Sequence, residues 1–143
     1  MSDTSFQPGG PPLPPPDTMH PTAEVALIPG TPVYAPSGGN VNLARSNALG
    51  TTQCTGLVVL EAEAGDHAVV RYGGPLQLTV AQWTAVLDTG TSLTPGAPYY
   101  VDGATAGKIT KTKPVSNYIA QVGLAIGPVT MLIQRSQPRV VAS

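Results

Sequence analysis

The chain has 143 residues, of which only 10% are charged, and its formal net charge of −1 excludes the basic surface that binding to nucleic acid or to an anionic membrane requires. A hydrophobic fraction of 41% is too high for a disordered chain, while sixteen glycines and sixteen prolines indicate many turns and an irregular segment. So few charges leave two interpretations open: a surface covered by partners, or one that is merely rich in uncharged polar residues.

Residues 1–22 are predicted to form an extended, proline-rich arm. Proline fixes φ and lacks an amide donor, so this segment is excluded from helices and central strands and favours polyproline II. Segments of this kind often bind aromatic grooves, and the alternative is a disordered tether. Because the arm has little apolar area of its own, an ordered arm would need a neighbouring subunit to hold it. Its candidate partner-binding residues are Pro8, Pro11, Pro12, Leu13, Pro14, Pro15 and Pro16.

Residues 23–135 are predicted to form an all-β domain, either a small β-barrel or a β-sandwich. Short apolar runs rich in β-branched residues alternate with Gly and Pro turn signals throughout this stretch. One short helix or turn is predicted within Val80–Asp88, with Thr79 as its N-cap, and the last two strands are predicted to pair as a hairpin. The predicted strands are Glu24–Ile28, Pro32–Ala35, Asn40–Ala44, Cys54–Glu61, His67–Tyr72, Leu76–Val80, Ala97–Asp102, Tyr118–Ile126 and Val129–Gln134.

Residues 136–143 are predicted to form a C-terminal tail, which is interpreted either as a second contact arm or as a frayed terminus. Aromatic and arginine side chains are common anchors of protein interfaces, and the one tryptophan is equally suited to a core. The candidate interface residues are Trp83, Tyr99, Tyr100, Arg135 and Arg139, with the core as the favoured position of Trp83.

No disulfide, metal or cofactor site is predicted. Cys54 is the only cysteine and lies in an apolar run, so we expect a buried, unreactive thiol. His20 and His67 are far apart, and neither has a second ligand at the spacing of a metal site. The N-terminus has no basic region followed by an apolar run, and no apolar run could span a bilayer. We therefore expect the chain to act in a cytosol-like compartment or in a particle assembled there.

The motif Asp88-Thr89-Gly90 resembles the active-site loop of aspartic proteases. In those enzymes two such loops bring two carboxylates together, which share a proton so that one acts as acid and the other as base. A single copy would require a homodimer, as in retroviral proteases, yet those place the motif early, whereas most of this domain precedes Asp88. Because Asp-Thr-Gly is also a good turn, a homodimeric protease is a remote alternative and no catalytic residue is assigned.

A longer pattern spans most of residues 25–134. It consists of an opening apolar-Tyr strand after a glycine, a second apolar strand, a turn with Pro-Gly, a Tyr-Tyr strand, a Gly-Lys-Ile-Thr hairpin and a Val-Gly-x-Ala strand. The segments that carry it are Leu27–Tyr34, Gly56–Val58, Gly90–Asp102, Ala106–Thr110 and Ile119–Ile126. Together they resemble a module of tailed-bacteriophage structural proteins, especially capsid decoration (cement) proteins and the bases of head or tail fibres. The proline-rich arm is not part of this pattern.

This resemblance implies a virion structural protein rather than an enzyme, assembled in the host cytoplasm and mounted on the capsid exterior without a cofactor. The implied partners are the major capsid protein and further copies of the chain, in a homo-oligomer for which a trimer is favoured. We expect the arm to contact neighbouring subunits and so to stabilise the shell. A tail-fibre or head-fibre attachment module is the alternative.

Overall fold

The computed structural model describes residues 18–36, 38–45, 51, 54–113, 118–136 and, by their backbone alone, 139–140. The described residues form thirteen strands and one helix, which confirms the predicted all-β class. No helix in this part of the chain is long and apolar enough to cross a membrane. The elements are β1 (Thr18–Met19), β2 (Thr22–Ala23), β3 (Pro32–Tyr34), β4 (Asn40–Leu43), β5 (Cys54–Leu60), β6 (Val69–Arg71), β7 (Gly74–Gln77), α1 (Val80–Val86), β8 (Pro98–Val101), β9 (Ile109–Thr110), β10 (Tyr118–Ile119), β11 (Gln121–Ala125), β12 (Thr130–Ile133) and β13 (Arg139–Val140).

The described strands form two main sheets and a two-stranded ribbon. The first sheet has the order β1-β6-β5-β3-β4-β2 and is antiparallel except for the β2–β4 pair. The second sheet is antiparallel throughout, with the order β7-β12-β11-β8-β9, and the ribbon pairs β10 with β13. Neither sheet closes into a barrel within the described residues, although an isolated bridge joins Thr22 of β2 to His67, just before β6.

The centre of strand β5 is buried on both faces, which explains its apolar run Gly56–Val59. Leu57 belongs to the larger core, where it lies with Tyr99 and Met131 of the second sheet. Val58, the next residue, belongs to a smaller core that includes Val33 of β3. Because successive side chains of a strand point to opposite faces, a strand covered on both sides has apolar residues at consecutive positions. Both cores are therefore built around β5.

Helix α1 packs against the larger core and begins where the sequence predicts. The Thr79 hydroxyl accepts a hydrogen bond from the Gln82 N–H at 3.2 Å, and the Gln82 side chain accepts one from the Thr79 N–H at 2.9 Å. This reciprocal capping box confirms Thr79 as the N-cap. Trp83 and Val86 are fully buried, and the Trp83 indole N–H donates to the Val129 carbonyl at 2.7 Å. The helix is thereby attached to the second sheet next to β12.

Most predicted strands are confirmed, with differences in three places. Strand β7 lies at Gly74–Gln77 rather than at Leu76–Val80, because Val80 begins α1, and the predicted strand Tyr118–Ile126 is divided into β10 and β11. The last two predicted strands do pair as the hairpin β11–β12. The third difference lies near the N-terminus. The predicted strand Glu24–Ile28 is wrong, because this segment makes one isolated bridge, from Leu27 to Ala62, before it turns. Two short strands, β1 and β2, instead lie at residues 18–23, around the predicted end of the arm, and Ala23 is buried. The seven candidate arm residues lie outside the described residues.

Candidate interaction surfaces

Two of the aromatic candidate residues lie in the larger core. Trp83 and Tyr99 are 0% and 1% exposed, and the Tyr99 hydroxyl accepts a hydrogen bond from the Thr94 N–H at 2.8 Å. Trp83 thus occupies the core position that the sequence favours for it. Tyr100, the next residue on β8, is half-buried, because alternate side chains of a strand face opposite sides. Among these three residues, Tyr100 offers the most surface to a partner.

Arg135 contacts Tyr72 at the end of β6, and Arg71 precedes Tyr72 in the chain. The Arg135 Nε–H donates to the Tyr72 carbonyl at 3.0 Å, its Nη1 donates to the Cys54 carbonyl at 3.4 Å, and its guanidinium carbon lies 5.9 Å from the centre of the Tyr72 ring. Arg71 donates from Nη1 to the Pro75 carbonyl, whereas its buried Nε has no hydrogen-bond partner. We call Arg71, Tyr72 and Arg135 the arginine corner.

The arginine corner presents positive charge without a described acid. Among the residues that the structure describes, the guanidinium groups of Arg71 and Arg135 bond only to backbone carbonyls. A guanidinium with remaining donors binds a carboxylate well, often through two parallel hydrogen bonds. Tyr72 is 38% exposed, so the corner combines an aromatic residue with the Arg135 guanidinium beside its ring. Arg139 lies on β13 opposite Ile119, and its side chain is outside the described residues.

An uncharged apolar groove lies between helix α1 and the turn before β3. Its volume is about 210 Å³, and its lining includes Ile28, Pro29, Ala81 and Ala85. Ile28 is 40% exposed and the neighbouring Val80 is 48% exposed. We call these five residues the helix surface. The residues of the helix itself are uncharged, and the Lys108 ammonium donates a hydrogen bond to the Ala85 carbonyl at 3.0 Å beside this surface. Exposed, contiguous apolar side chains are typical of surfaces that bind another protein.

The Asp-Thr-Gly motif forms an exposed turn after helix α1. The Asp88 carboxylate accepts a hydrogen bond from the Thr110 hydroxyl at 2.8 Å, and the Asp88 N–H donates to the Ile109 carbonyl at 3.0 Å. Gly90 has a φ of +87°, which a glycine adopts without strain. The motif thus attaches the end of α1 to β9, in agreement with its interpretation as a turn. A protease dyad would need Asp88 of a second copy.

Cys54 is a buried, free thiol in strand β5. Its Sγ lies 3.4 Å from the Gly56 carbonyl. Burial raises the pKa of this thiol from 9.0 to about 11, because an apolar interior disfavours the charged thiolate. Since the thiolate is the reactive species, the low thiolate fraction agrees with the predicted unreactive thiol.

The connection between β5 and β6 forms an acidic, solvent-exposed cleft. It has a volume of about 320 Å³ and is lined by Glu61, Glu63, Asp66 and His67. No group of three or more His, Cys, Asp or Glu side chains in the described part of the chain is arranged to hold a metal ion. Glu61, Glu63, Asp66 and His67 are all exposed to solvent. His20, the other histidine, is also exposed.

Comparison with known proteins finds only weak structural similarity. The chain matches no protein-family model and no curated protein sequence. Among solved structures it is similar to a chain of the capsid of Myoviridae phage XM1, with a TM-score of 0.48 and 17% identity over 92% of both chains. A similarity of that strength decides neither the fold nor the function of this protein, which have to be argued from its own residues.

Proposed function

We propose that this protein is a virion structural protein of a tailed bacteriophage, a decoration or cement protein that binds the capsid exterior and stabilises it. The proposal rests on the resemblance of its strand and turn pattern to those proteins. In this reading, the partners are the major capsid protein and further copies of the chain, with a trimer as the favoured oligomer. The N-terminal arm contacts neighbouring subunits.

The observation that carries the proposal is that the most specific part of the pattern forms one structural unit. The Tyr-Tyr strand β8 lies between β9, which carries Ile109, and β11, which carries Gly123, as neighbours in the second sheet. The Pro-Gly turn before β8 has Gly96 at φ +85°, and the Asp102 carboxylate accepts hydrogen bonds from two backbone N–H groups in the β8–β9 connection. The resembling residues thus lie together in space, as a shared module requires.

The helix surface supplies a second argument. A protein that binds a shell in many copies needs a face that can be covered by its partner, and repeated weak contacts then add up through avidity. Ile28 and Val80 are exposed on a face without charged helix residues, so covering it desolvates no helix charge. Each Å² of apolar area buried contributes about 25 cal/mol. Only 10% of the chain is charged, which agrees with a surface largely covered in an assembly.

The test is co-sedimentation with capsid shells of the encoding phage assembled without this protein. We expect the wild-type protein to saturate the shells and to have the mass of a trimer in solution. A variant lacking residues 1–16 should lose shell binding while keeping its fold, since β1 and β2 begin only at Thr18. Deletion to residue 22 would be a poorer test, because it would remove β1, which pairs with β6.

A matched pair of substitutions tests the helix surface. Ala81→Glu places a charge in the groove and should weaken shell binding about tenfold, equivalent to ~1.4 kcal/mol. Gln77→Glu adds the same charge at another exposed position, outside the groove, and should bind like the wild type. Wild-type protein that does not sediment with shells contradicts the decoration role. If it is also a dimer, the protease alternative gains support, and Asp88→Asn is then tested for lost peptide cleavage.

A further inference from the structure

Strand β5 separates two exposed surfaces of opposite charge. Arg135 lies at the start of the strand, where its Nη1 donates to the Cys54 carbonyl at 3.4 Å. Leu60 ends the strand, and Glu61 follows it. The seven residues of β5 span about 20 Å at the usual rise of a strand, whereas salt screens exposed charges beyond about 8 Å. The acids at one end of β5 therefore do not neutralise Arg135 at the other.

The first surface lies at the end of β5 and is acidic. Leu60 is 60% exposed, more than any other large hydrophobic side chain of the described residues. After it along the chain, Glu61, Glu63 and Asp66 are exposed and line one cleft with His67. Within the described part of the chain, these three carboxylates make no ion pair or hydrogen bond. We call Leu60, Glu61, Glu63 and Asp66 the acidic end.

The second surface consists of Tyr72 and Arg135 of the arginine corner. Arg135 is exposed, and its guanidinium carbon lies 5.9 Å from the centre of the Tyr72 ring. Its bonds to the Tyr72 and Cys54 carbonyls use two of the five N–H groups of a guanidinium, which leaves three for a carboxylate. Tyr72 is 38% exposed. This surface therefore offers an aromatic residue and charged hydrogen-bond donors side by side.

The two surfaces are complementary in charge and in apolar character. A carboxylate binds a guanidinium through strong, often paired hydrogen bonds, and a leucine that covers an aromatic residue removes apolar area from water. Because they lie at opposite ends of β5, the two surfaces of one protomer cannot reach each other. A second copy of the chain carries both, and a net charge of −1 gives little overall repulsion between copies. The occupant that fits each surface is thus the opposite surface of another copy.

We propose that the acidic end of one protomer docks on Tyr72 and Arg135 of the next, with Leu60 against the tyrosine and the Glu61 carboxylate paired with the guanidinium. Because the two surfaces differ, every protomer uses one of them toward each of two neighbours. Such head-to-tail contacts close into a ring when the rotation between copies permits, and three copies give the trimer favoured above. The contact rests on the proposed function for the existence of the oligomer and supplies the surfaces that join its copies.

Charge reversal tests the contact in the full-length protein, without capsid shells. Sedimentation equilibrium over a range of concentrations measures the mass and the association constant. Glu61→Arg and Arg135→Glu should each lower that constant about three- to tenfold per contact, since each replaces an exposed ion pair by two like charges. The double variant Glu61→Arg/Arg135→Glu restores opposite charges and should recover most of the association. At about 1 M salt, the difference between the wild type and the single variants should shrink.

Two further substitutions separate the contact from net charge and from folding. Lys113→Glu changes the net charge as Arg135→Glu does, at another exposed position, and should associate like the wild type. Arg135→Glu also loses two hydrogen bonds to backbone carbonyls, which costs stability. Leu60→Ser and Glu61→Arg change exposed side chains and should both weaken association, so they test the contact even where Arg135→Glu does not fold.

Loss of association in Glu61→Arg and its recovery in the double variant would support the contact. A wild-type chain that stays monomeric, a Glu61→Arg variant that associates like the wild type, or an equal effect of Lys113→Glu would overturn it. If Glu61→Arg keeps its mass but no longer sediments with shells, the acidic end binds the capsid protein instead, and the contact between copies is refuted.

Shell binding is measured separately, so the two proposals fail in different ways. A monomer that still sediments with shells refutes the contact and leaves the decoration role intact. An oligomer that these variants dissociate, but that does not bind shells, supports the contact and refutes the decoration role.

Discussion

Replacing Gly30 with alanine should show how closely helix α1 packs against the chain entering β3. Gly30 has a φ of +88°, and a Cβ atom built on it would lie 2.9 Å from Val86 Cγ2 and 3.3 Å from Leu78 Cδ1. Real Cβ atoms do not approach a neighbour at 2.9 Å, so the helix or its side chains would have to shift. Gly65 is a matched control, since it has a φ of +91° and no atom within 4 Å of the same Cβ position.

The two substitutions change the free energy of unfolding in the same ways, except through packing in the folded state. In each, alanine must adopt a left-handed backbone, which costs roughly 1–2 kcal/mol, and in each the unfolded chain loses the freedom of a glycine. Only Gly30→Ala also overpacks a core, which costs about 1–3 kcal/mol. We therefore expect Gly30→Ala to lower the free energy of unfolding by about 1–3 kcal/mol more than Gly65→Ala.

Urea unfolding, followed by Trp83 fluorescence and circular dichroism at one fixed protein concentration, measures this difference. The midpoints should separate while the slopes stay equal, because the slope reports the surface exposed on unfolding. A fixed concentration is needed because assembly stabilises the folded protein. If the two variants lose the same stability, Val86 does not pack on Gly30 as closely as described, and the contact between α1 and the chain entering β3 would have to be abandoned.

Three further predictions concern the two cores. Gly56→Ala should be less stable to urea than Gly127→Ala by about 1–3 kcal/mol, since a Cβ at Gly56 would lie 2.4 Å from a carbonyl oxygen of β6, whereas Gly127 has open space. Trp83→Phe should lower the free energy of unfolding by about 1–3 kcal/mol, because it removes the indole donor from a carbonyl next to β12; an unchanged midpoint would contradict that hydrogen bond. The folded pKa of Cys54 is raised from 9.0 to about 11, so its contribution to stability is fully present below pH 9 and is lost as the pH rises to 11. Across that interval the wild type should lose about 1.4 kcal/mol per pH unit more than Cys54→Ala, and parallel pH profiles would refute it.

The sequence predicts those elements that are determined by residues close together along the chain. The Thr79 cap works because Gln82 stands three positions later, a spacing visible in the sequence. The burial of β5 follows from its continuous apolar run, and the hairpin β11–β12 follows from two apolar runs around Gly127-Pro128. In these cases, the residues that decide the structure are neighbours along the chain.

Other features depend on partners far away in the sequence and could not be predicted in that way. The two-residue strand β1 forms because β6, about fifty residues later, offers it an edge. Tyr72 and Arg135 meet although 63 positions separate them, so neither residue type alone indicates the arginine corner. The helix surface likewise arises only when Ile28 comes beside α1. The sequence does indicate single residues suited to an interface, such as Arg135. It does not indicate which of them lie together in the folded protein.

The edges of the second sheet limit the ways in which another chain could pair with it. At β7, Pro75 has no N–H to offer, and its carbonyl already accepts a hydrogen bond from Arg71. At β9, Leu87 forms a parallel bridge to Ile109, so the chain after α1 covers that edge. Prolines and covering segments on edge strands prevent pairing with other chains. Addition of a partner's strand to this sheet is therefore disfavoured within the described residues, so we expect contacts at this sheet to be made through side chains. The helix surface offers apolar side chains, and the arginine corner offers charged ones.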